Sequence, residues 1–356
     1  MTLNASGTIS IGGSTVGQSI NLELGLSATA TSGLNDSLLR ALARVPSGAI
    51  ALTNFYGQSS GFKQGIFGFG SINVGPSFMS NITNIVSSAG VVASDVSGVG
   101  NLKRSLQAAT FGGDKGIFGF GFTYVGSTTT TLSQNIVSNT GVVASDTFTT
   151  GSARTDGAGA GYGNDKGLYA FGSNFSSGRV NTRNLITNTG VVASDTAGAG
   201  TARDSLAAAT YGYDKAIFGF GFATSPSGRT AITNLVSNTG VIATNTAAVG
   251  TARTVNMGAA TFGVDRAIFG FGNTVSGVTA ITNLVSNTGV VASDTAGVGT
   301  AGVAPACGYG GSKAIFGFKS SGATNITNLV SSTGVVASDT SQVGSIRSPA
   351  GTSFGQ

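Results

Sequence analysis

Residues 206–246 read LAAATYGYDKAIFGFGFATSPSGRTAITNLVSNTGVIATNT, and this stretch decides the fold. Four short runs rich in β-prone residues are separated by turn residues. They are LAAATYG (206–212), KAIFGFG (215–221), TAITNLV (230–236) and VIATNT (241–246), called strands A to D below. The SNTG at 237–240 suits a tight hairpin whose glycine takes positive φ. In strand B, period-2 alternation puts Phe218 and Phe220 on one face and Ile217, Gly219 and Gly221 on the other. A bulky face and a nearly flat one let neighbouring sheets interlock, rings lying over glycines.

The unit recurs along the chain. GIFGFG at 65–70 returns at 116–121, as GLYAFG at 167–172, as AIFGFG at 216–221 and 267–272, and as AIFGFK at 314–319. GVVASD at 90–95 returns from Gly141, Gly190, Gly240, Gly289 and Gly334. Six copies about 50 residues apart match the spacing of kelch-like propeller blades. The expected fold is all-β: a six-bladed β-propeller of four-stranded blades over 59–356. The first copy lacks a strand A, whereas the tail GSIRSPAGTSFGQ (344–356) aligns with GTARDSLAAATYGYD, placing Arg347 and Phe354 where Arg203 and Tyr211 fall. The C-terminal strand is therefore predicted to complete the first blade and leave no long open edge.

The A–B and C–D turns vary little between copies, whereas the B–C loops differ freely, as in FTYVGSTTTT (122–131), SNFSSGRV (173–180) and FATSPSGR (222–229). Such a variable face either binds something or is simply unconstrained. If it binds, Tyr124, Phe175, Arg179, Phe222 and Arg229 are the candidate ligand residues, suited to stacking on and hydrogen-bonding sugars. Both propeller termini are expected on the opposite face.

Composition narrows the chemistry. The chain of 356 residues has 9% charged and 40% hydrophobic residues, which excludes disorder, and 58 glycines without a G-X-Y period. Its charge of +5 is too dilute to argue for nucleic acid. The single cysteine, Cys307, rules out an internal disulfide and reads as a small buried side chain. The opening residues carry no basic region followed by an apolar run, so no Sec signal is expected, and no apolar run approaches a membrane span.

There is no histidine, so a Ser-His-Asp triad or a histidine metal site cannot be built. Glu23 is the only glutamate. The aspartates recur in A–B turns (Asp114, Asp165, Asp214, Asp265) and after strand D (Asp95, Asp146, Asp195, Asp294, Asp339), as turn caps would. Asp156 and Asp204 are the acids placed for a glycosidase pair. Neither a catalytic residue, a cofactor nor a metal is expected.

Residues 8–26 alternate weakly and suggest one or two strands. SLLRALARV after Asn35 and Asp36 suggests a short helix, and AIALTNFYG (49–57) a further strand. This segment, 1–58, is too small for a good core of its own and is expected to fold against the propeller, copies of itself or a larger assembly.

SGTISIGGSTVGQSINLELG, LNDSLLRALARVPSGAIALTNFYGQS and the DKAIFGFG and TAITNLVSNTGVVASDT repeats resemble tail-fibre or related virion proteins of tailed bacteriophages, especially those of marine bacteria and cyanobacteria. The resemblance runs over essentially the whole chain. It implies a virion protein assembled in the host cytoplasm, attached to other tail or baseplate proteins through residues 1–58. It also implies a possible host-surface role for the propeller and makes a trimer plausible. It supplies no catalytic residues.

One charged series remains: Arg104, Arg154, Arg203, Arg253 and Arg347 in the D–A connections, with Gly302 at the sixth place. It has two readings. The arginines form a cationic ring for phosphate or carboxylate groups of a surface glycan, or each pairs with the aspartate after strand D and knits blades together. Three functions follow: a tail-fibre adhesin binding a host surface polysaccharide, a purely structural tail, neck or capsid decoration protein, and, third, a paired-carboxylate enzyme.

Overall fold

The computed structural model describes residues 3–4, 6–24, 26–34, 39, 42–43, 49–55, 64–72, 78–174, 176–247, 249–255, 257–319 and 325–355. The chain divides into two compact units, Met1–Phe62 with Gln356, and Lys63–Gly355.

The second unit is all-β, built from antiparallel sheets. The first sheet joins the two ends of the unit: Arg347–Phe354 pairs with Gln64–Ile72, which pairs with Met79–Val86. The expected pairing of the C-terminal strand with the first repeat is therefore present, with Gln64 opposite Phe354 and Phe67 opposite Gly351. Five further sheets repeat the plan with strands A, B and C in sequence order, and three small sheets are formed by the B–C hairpins, one of them with Arg203–Asp204. In the fourth repeat these are Ala207–Tyr211, Lys215–Gly219 and Thr233–Val236.

Strand D departs from expectation. It forms a named strand only as Thr147–Phe148 and Thr340–Ser341 among the described residues. Elsewhere it meets strand C at isolated bridges such as Val236↔Ile242 and Thr233↔Thr246. An asparagine in strand C interrupts the C–D ladder. Between those bridges Asn234 Nδ2 donates to the Ala243 carbonyl at 2.9 Å, so a side chain replaces a backbone rung.

The second phenylalanine of each IFGF run corrects the face assignment. Strand B ends before it in every repeat but the first, where Phe69 falls at a register shift inside Gln64–Ile72, and Phe69, Phe120, Phe171, Phe220, Phe271 and Phe318 sit at φ between 51° and 64°. This left-handed residue breaks the period of two, so the two rings point to opposite neighbours. Phe218 packs on Phe171 of the preceding sheet at 5.4 Å between centroids, and Phe220 on Phe269 of the following one at 5.2 Å. The same contact joins Phe69 to Phe118, Phe120 to Tyr169, Phe271 to Phe316, and Phe318 of the sixth repeat to Phe67 of the first. Each such pair contributes about 0.5–1.5 kcal/mol beyond its buried area.

The interlock over glycine holds for the first ring of five runs. A Cβ on Gly219 would stand 2.8 Å from the Phe269 ring, and one on Gly68 2.9 Å from Phe118. Glycine suits those positions because a neighbouring ring fills the space of a side chain; the third repeat has Ala170 there instead, in the same core as Phe218. A–B turns of successive repeats are also tied backbone to backbone: Gly112 N donates to Asp165 O and Gly212 N to Asp265 O, both at 2.7 Å, and Gly355 N to Asp114 O at 2.8 Å.

The first unit has a small core of Leu3, Ile9, Ile20, Leu39, Leu42, Ala43 and Phe55. Its local structure differs from the expected strands. Ser10 and Ser19 make one parallel bridge, and Ile20–Glu23 is a single helical turn whose N-cap Ser19 accepts from Leu22 N at 3.3 Å. Leu39, Leu42 and Ala43 are helical and buried, while the rest of the expected helix lies outside the described residues. In the stretch expected as a strand, Leu52–Phe55 is a 3-10 turn, closed by Asn54 Oδ1 accepting from Ala51 N at 2.7 Å.

Candidate functional site

The D–A connections carry the most repeated chemistry in the molecule. Arg154, Arg203, Arg253 and Arg347 are at most 2% exposed. Each guanidinium rests on the second phenylalanine of the preceding repeat: Arg347 on Phe318 at 4.3 Å, Arg154 on Phe120 at 4.5 Å, Arg203 on Phe171 at 4.2 Å and Arg253 on Phe220 at 4.3 Å. The left-handed turn that flips that ring is what presents its face to the cation.

The first and last places in the series are corrections. Arg104 is half-buried over Phe122 at 5.1 Å and is not the equivalent of the other arginines. Lys103 is: it is 0% exposed, lies 5.3 Å from the Phe69 ring, and donates to Asn135 Oδ1 and Asp146 Oδ1, both at 2.6 Å. Gly302 leaves its place empty of charge, and Lys319 fills it from the segment just after strand B of the same repeat. Lys319 lies 4.8 Å from the Phe271 ring, donates to Asn328 Oδ1 at 2.8 Å, and meets Asp339 at 2.7 Å. A lysine where five repeats end IFGF with glycine was the available sequence signal.

Within each sheet the cation is held by strand C and the segment after strand D. Arg154, Arg253 and Arg347 donate to Asn184, Asn283 and Asn84, and lie 3.6, 3.8 and 3.6 Å from Asp195, Asp294 and Asp95. The same asparagines donate to the same carboxylates, so cation, amide and acid form one buried-to-surface relay. Asp95 also accepts from Ser345 N at 3.0 Å, which ties the first repeat to the C-terminal strand.

The fourth repeat breaks the pattern. Asn245 stands where the others have aspartate, so Arg203 has no carboxylate partner among the described residues and instead donates to the Phe220 and Thr201 carbonyls at 2.9 and 3.2 Å. Burial pushes Arg203 down to about 9, against about 10 for Arg253, where Asp294 opposes the effect of burial. For the aspartates burial acts upward, but hydrogen bonds and the facing cation outweigh it. Asp95, Asp146, Asp195, Asp294 and Asp339 all end below the usual carboxylate range.

These contacts support the knitting reading of the arginines. Buried guanidiniums and ammoniums stacked on a neighbouring sheet cannot present a cationic ring to a glycan, so Arg154, Arg203, Arg253 and Arg347 do not form a surface ligand site.

The loop candidates are half-buried, and two of them meet. Arg179 stacks on Phe222 at 4.5 Å and pairs with Asp204 at 2.9 Å, joining the third and fourth repeats. Arg229 reaches the next repeat, donating to Asn273 O at 3.2 Å. Tyr124 sits on the small hairpin Phe122–Tyr124 with Thr128–Thr130, apart from these pairs. Phe175 lies outside the described residues. Of the candidate acid pair, Asp204 is held by Arg179, which removes it from the role of a free base. Asp156 is considered below.

Among the described residues no group of three or more His, Cys, Asp or Glu converges as a metal site. Cys307 is buried, and burial pushes its thiol well above the ordinary range, as an inert packing residue requires. No protein-family model matches this chain, and no curated protein matches it.

Proposed function

We propose that the six sheets are the blades of a closed six-bladed β-propeller and that the protein is a non-enzymatic phage virion protein of the tail-fibre or adhesin type. Residues 1–58 hold it to other tail or baseplate proteins, and the propeller presents its B–C hairpins to a host surface polysaccharide. The observation that carries the reading is the division of labour in the sequence. The repeated arginines of the D–A connections are buried within the sheets, while the variable hairpins bear aromatic and arginine side chains such as Tyr124, Arg179 and Phe222 near the surface. The ring pairs support closure, because the sixth repeat meets the first through the same contact that joins the others.

The test is saturable binding of the labelled full-length protein to a panel of marine bacterial and cyanobacterial cells, competed by purified surface polysaccharide. Competable binding to one strain supports the adhesin. Absence of binding to every strain by the folded protein refutes it.

A purely structural role is favoured by a different observation. Val91, Val142, Val191, Val241, Val290 and Val335, at equivalent positions, are 54–66% exposed. Repeated apolar spots of this kind suit coverage by another virion protein. Co-purification with virion components and no cell binding is the outcome that favours it.

A further inference from the structure

A cavity of about 110 Å³ is formed where the inner strands of all six repeats begin. Its lining is two-sided. Ser105, Asp156 and Ser205, with Leu106 and Leu206 beside them, come from three successive repeats, and Met257, Pro305 and Pro349 from the other three, with alanine and glycine making up the rest. Since one water needs about 10–15 Å³ on this scale, the space takes several waters, the size of one sugar ring and well short of two.

The polar wall is held in an unusual conformation. Ser105, Asp156 and Ser205 sit at φ of 55°, 56° and 52°, and they are linked in order: Asp156 N donates to Ser105 O at 3.1 Å, and Ser205 N to Asp156 O at 2.7 Å. This chain places glycine at most of its other left-handed positions. The equivalent Val255 is left-handed too, at φ of 59°, so the conformation belongs to the D–A connection, and what sets these three positions apart is the polar side chains they bring to the cavity.

Charge selects among ligands. Among the described residues no lysine or arginine lines the cavity, which disfavours a phosphate or carboxylate. Burial raises the Asp156 pKa, the Thr155 and Ser105 hydroxyls oppose that by donating to it, and the fields of Asp204 and Arg104 act in opposite directions. The carboxyl is thus neither a bare anion seeking a cation nor a group without acceptor capacity. It is a hydrogen-bonding centre between two hydroxyls, facing an apolar wall.

We infer that this axial well binds a single uncharged pyranose ring, with two adjacent sugar hydroxyls on Asp156, flanked by Ser105 and Ser205, and the apolar C–H face of the ring against Met257, Pro305 and Pro349. The inference rests on the adhesin reading for its biological meaning but not for its chemistry. It places a terminal sugar of the surface polymer at the well.

Methionine supplies the reporter. The chain has three, and Met257 alone lines the well, while Met79 is buried in the first sheet. In full-length protein carrying ¹³C-methyl methionine, titration with methyl pyranosides of glucose, galactose, mannose, N-acetylglucosamine, fucose and rhamnose is expected to shift the Met257 methyl saturably with at least one of them. The Met79 signal should stay in place. Asp156→Asn keeps the size and tolerates the left-handed backbone, and is expected to weaken the titration tenfold or more. Ser205→Gly relieves the backbone, so a fold loss cannot explain its weaker binding. No shift of Met257 with any sugar, or an unchanged titration in Asp156→Asn, overturns the inference. Cell binding that persists without a Met257 response leaves the adhesin standing and removes the well; a Met257 response without cell binding does the reverse.

Discussion

Replacing Asn245 by aspartate should stabilise the protein, because it supplies the carboxylate that Arg203 lacks. Burial holds Arg203 at about 9 and Arg253, beside Asp294, at about 10. A difference of one unit corresponds to about 1.4 kcal/mol between charged and neutral forms. The bare Coulomb attraction at the 3.8 Å of the Arg253–Asp294 pair is about 4 kcal/mol with an effective dielectric of 20. Desolvating the new carboxylate and its partial exposure offset most of that, so a net gain of about 1 kcal/mol is expected. For a domain of this size that is a rise in Tm of about 2 °C. The reciprocal change Asp294→Asn puts Arg253 in the position Arg203 occupies naturally and should cost about the same. Differential scanning calorimetry of wild type, both variants and the double variant at pH 7 reads all of these. If Asn245→Asp leaves Tm unchanged or lowers it while Asp294→Asn is neutral, the carboxylates do not balance the buried cations, and the account of the relay is wrong.

Other expectations follow from the same contacts. Arg253→Gln removes the cation from Phe220 and leaves Asn283 and Asp294 unanswered, so a loss of about 3 kcal/mol is expected in urea unfolding, whereas Arg229→Gln at a half-buried loop position should cost under about 1. Gly219→Ala drives a methyl to 2.8 Å from the Phe269 ring and should cost about 1–3 kcal/mol, read as a lower urea midpoint with unchanged slope. The five aspartates have folded pKa values below their unfolded ones, so their stabilisation is complete above about pH 4 and is lost as pH falls through the folded values. Stability from pH 7 down to about 4.5 should therefore be nearly flat and then drop, as circular dichroism can follow. Deleting residues 347–356 opens the edge of Gln64–Ile72 and removes the Arg347–Asp95 tie, so concentration-dependent association beyond that of the full-length protein is expected in sedimentation.

The repeat, strands A to C, the partnership of the two chain ends and the ring-over-glycine interlock were all legible, because each rests on side-chain type at fixed spacing. What was not legible depends on backbone conformation or on contacts between distant positions. Nothing in IFGFG announces that Phe220 takes φ of 64° and turns to the opposite neighbour, since alternation assumes an unbroken strand. Nothing in the sequence shows that the Asn234 amide takes the Ala243 carbonyl in place of a backbone rung. Lys103 and Arg104 differ by one step, and only burial says which of them faces the ring. Lys319 enters its socket from the segment just after strand B, so sequence alignment leaves the sixth place vacant at Gly302. In the first unit, local capping by Ser19 and Asn54 overrode weak alternation.

The joint between neighbouring repeats has a direction: the flipped phenylalanine is always given by the earlier repeat, and the cation that sits on it by the later one. Because giver and receiver are the same pair of groups at each joint, any repeat can follow any other without a new interface being invented. The B–C hairpins contribute little to that joint apart from the Arg179 and Arg229 links to the following repeat. A gene of this kind can therefore shuffle whole repeats by recombination and renew its exposed hairpins as cassettes, with the phenylalanine and the cation serving as plug and socket.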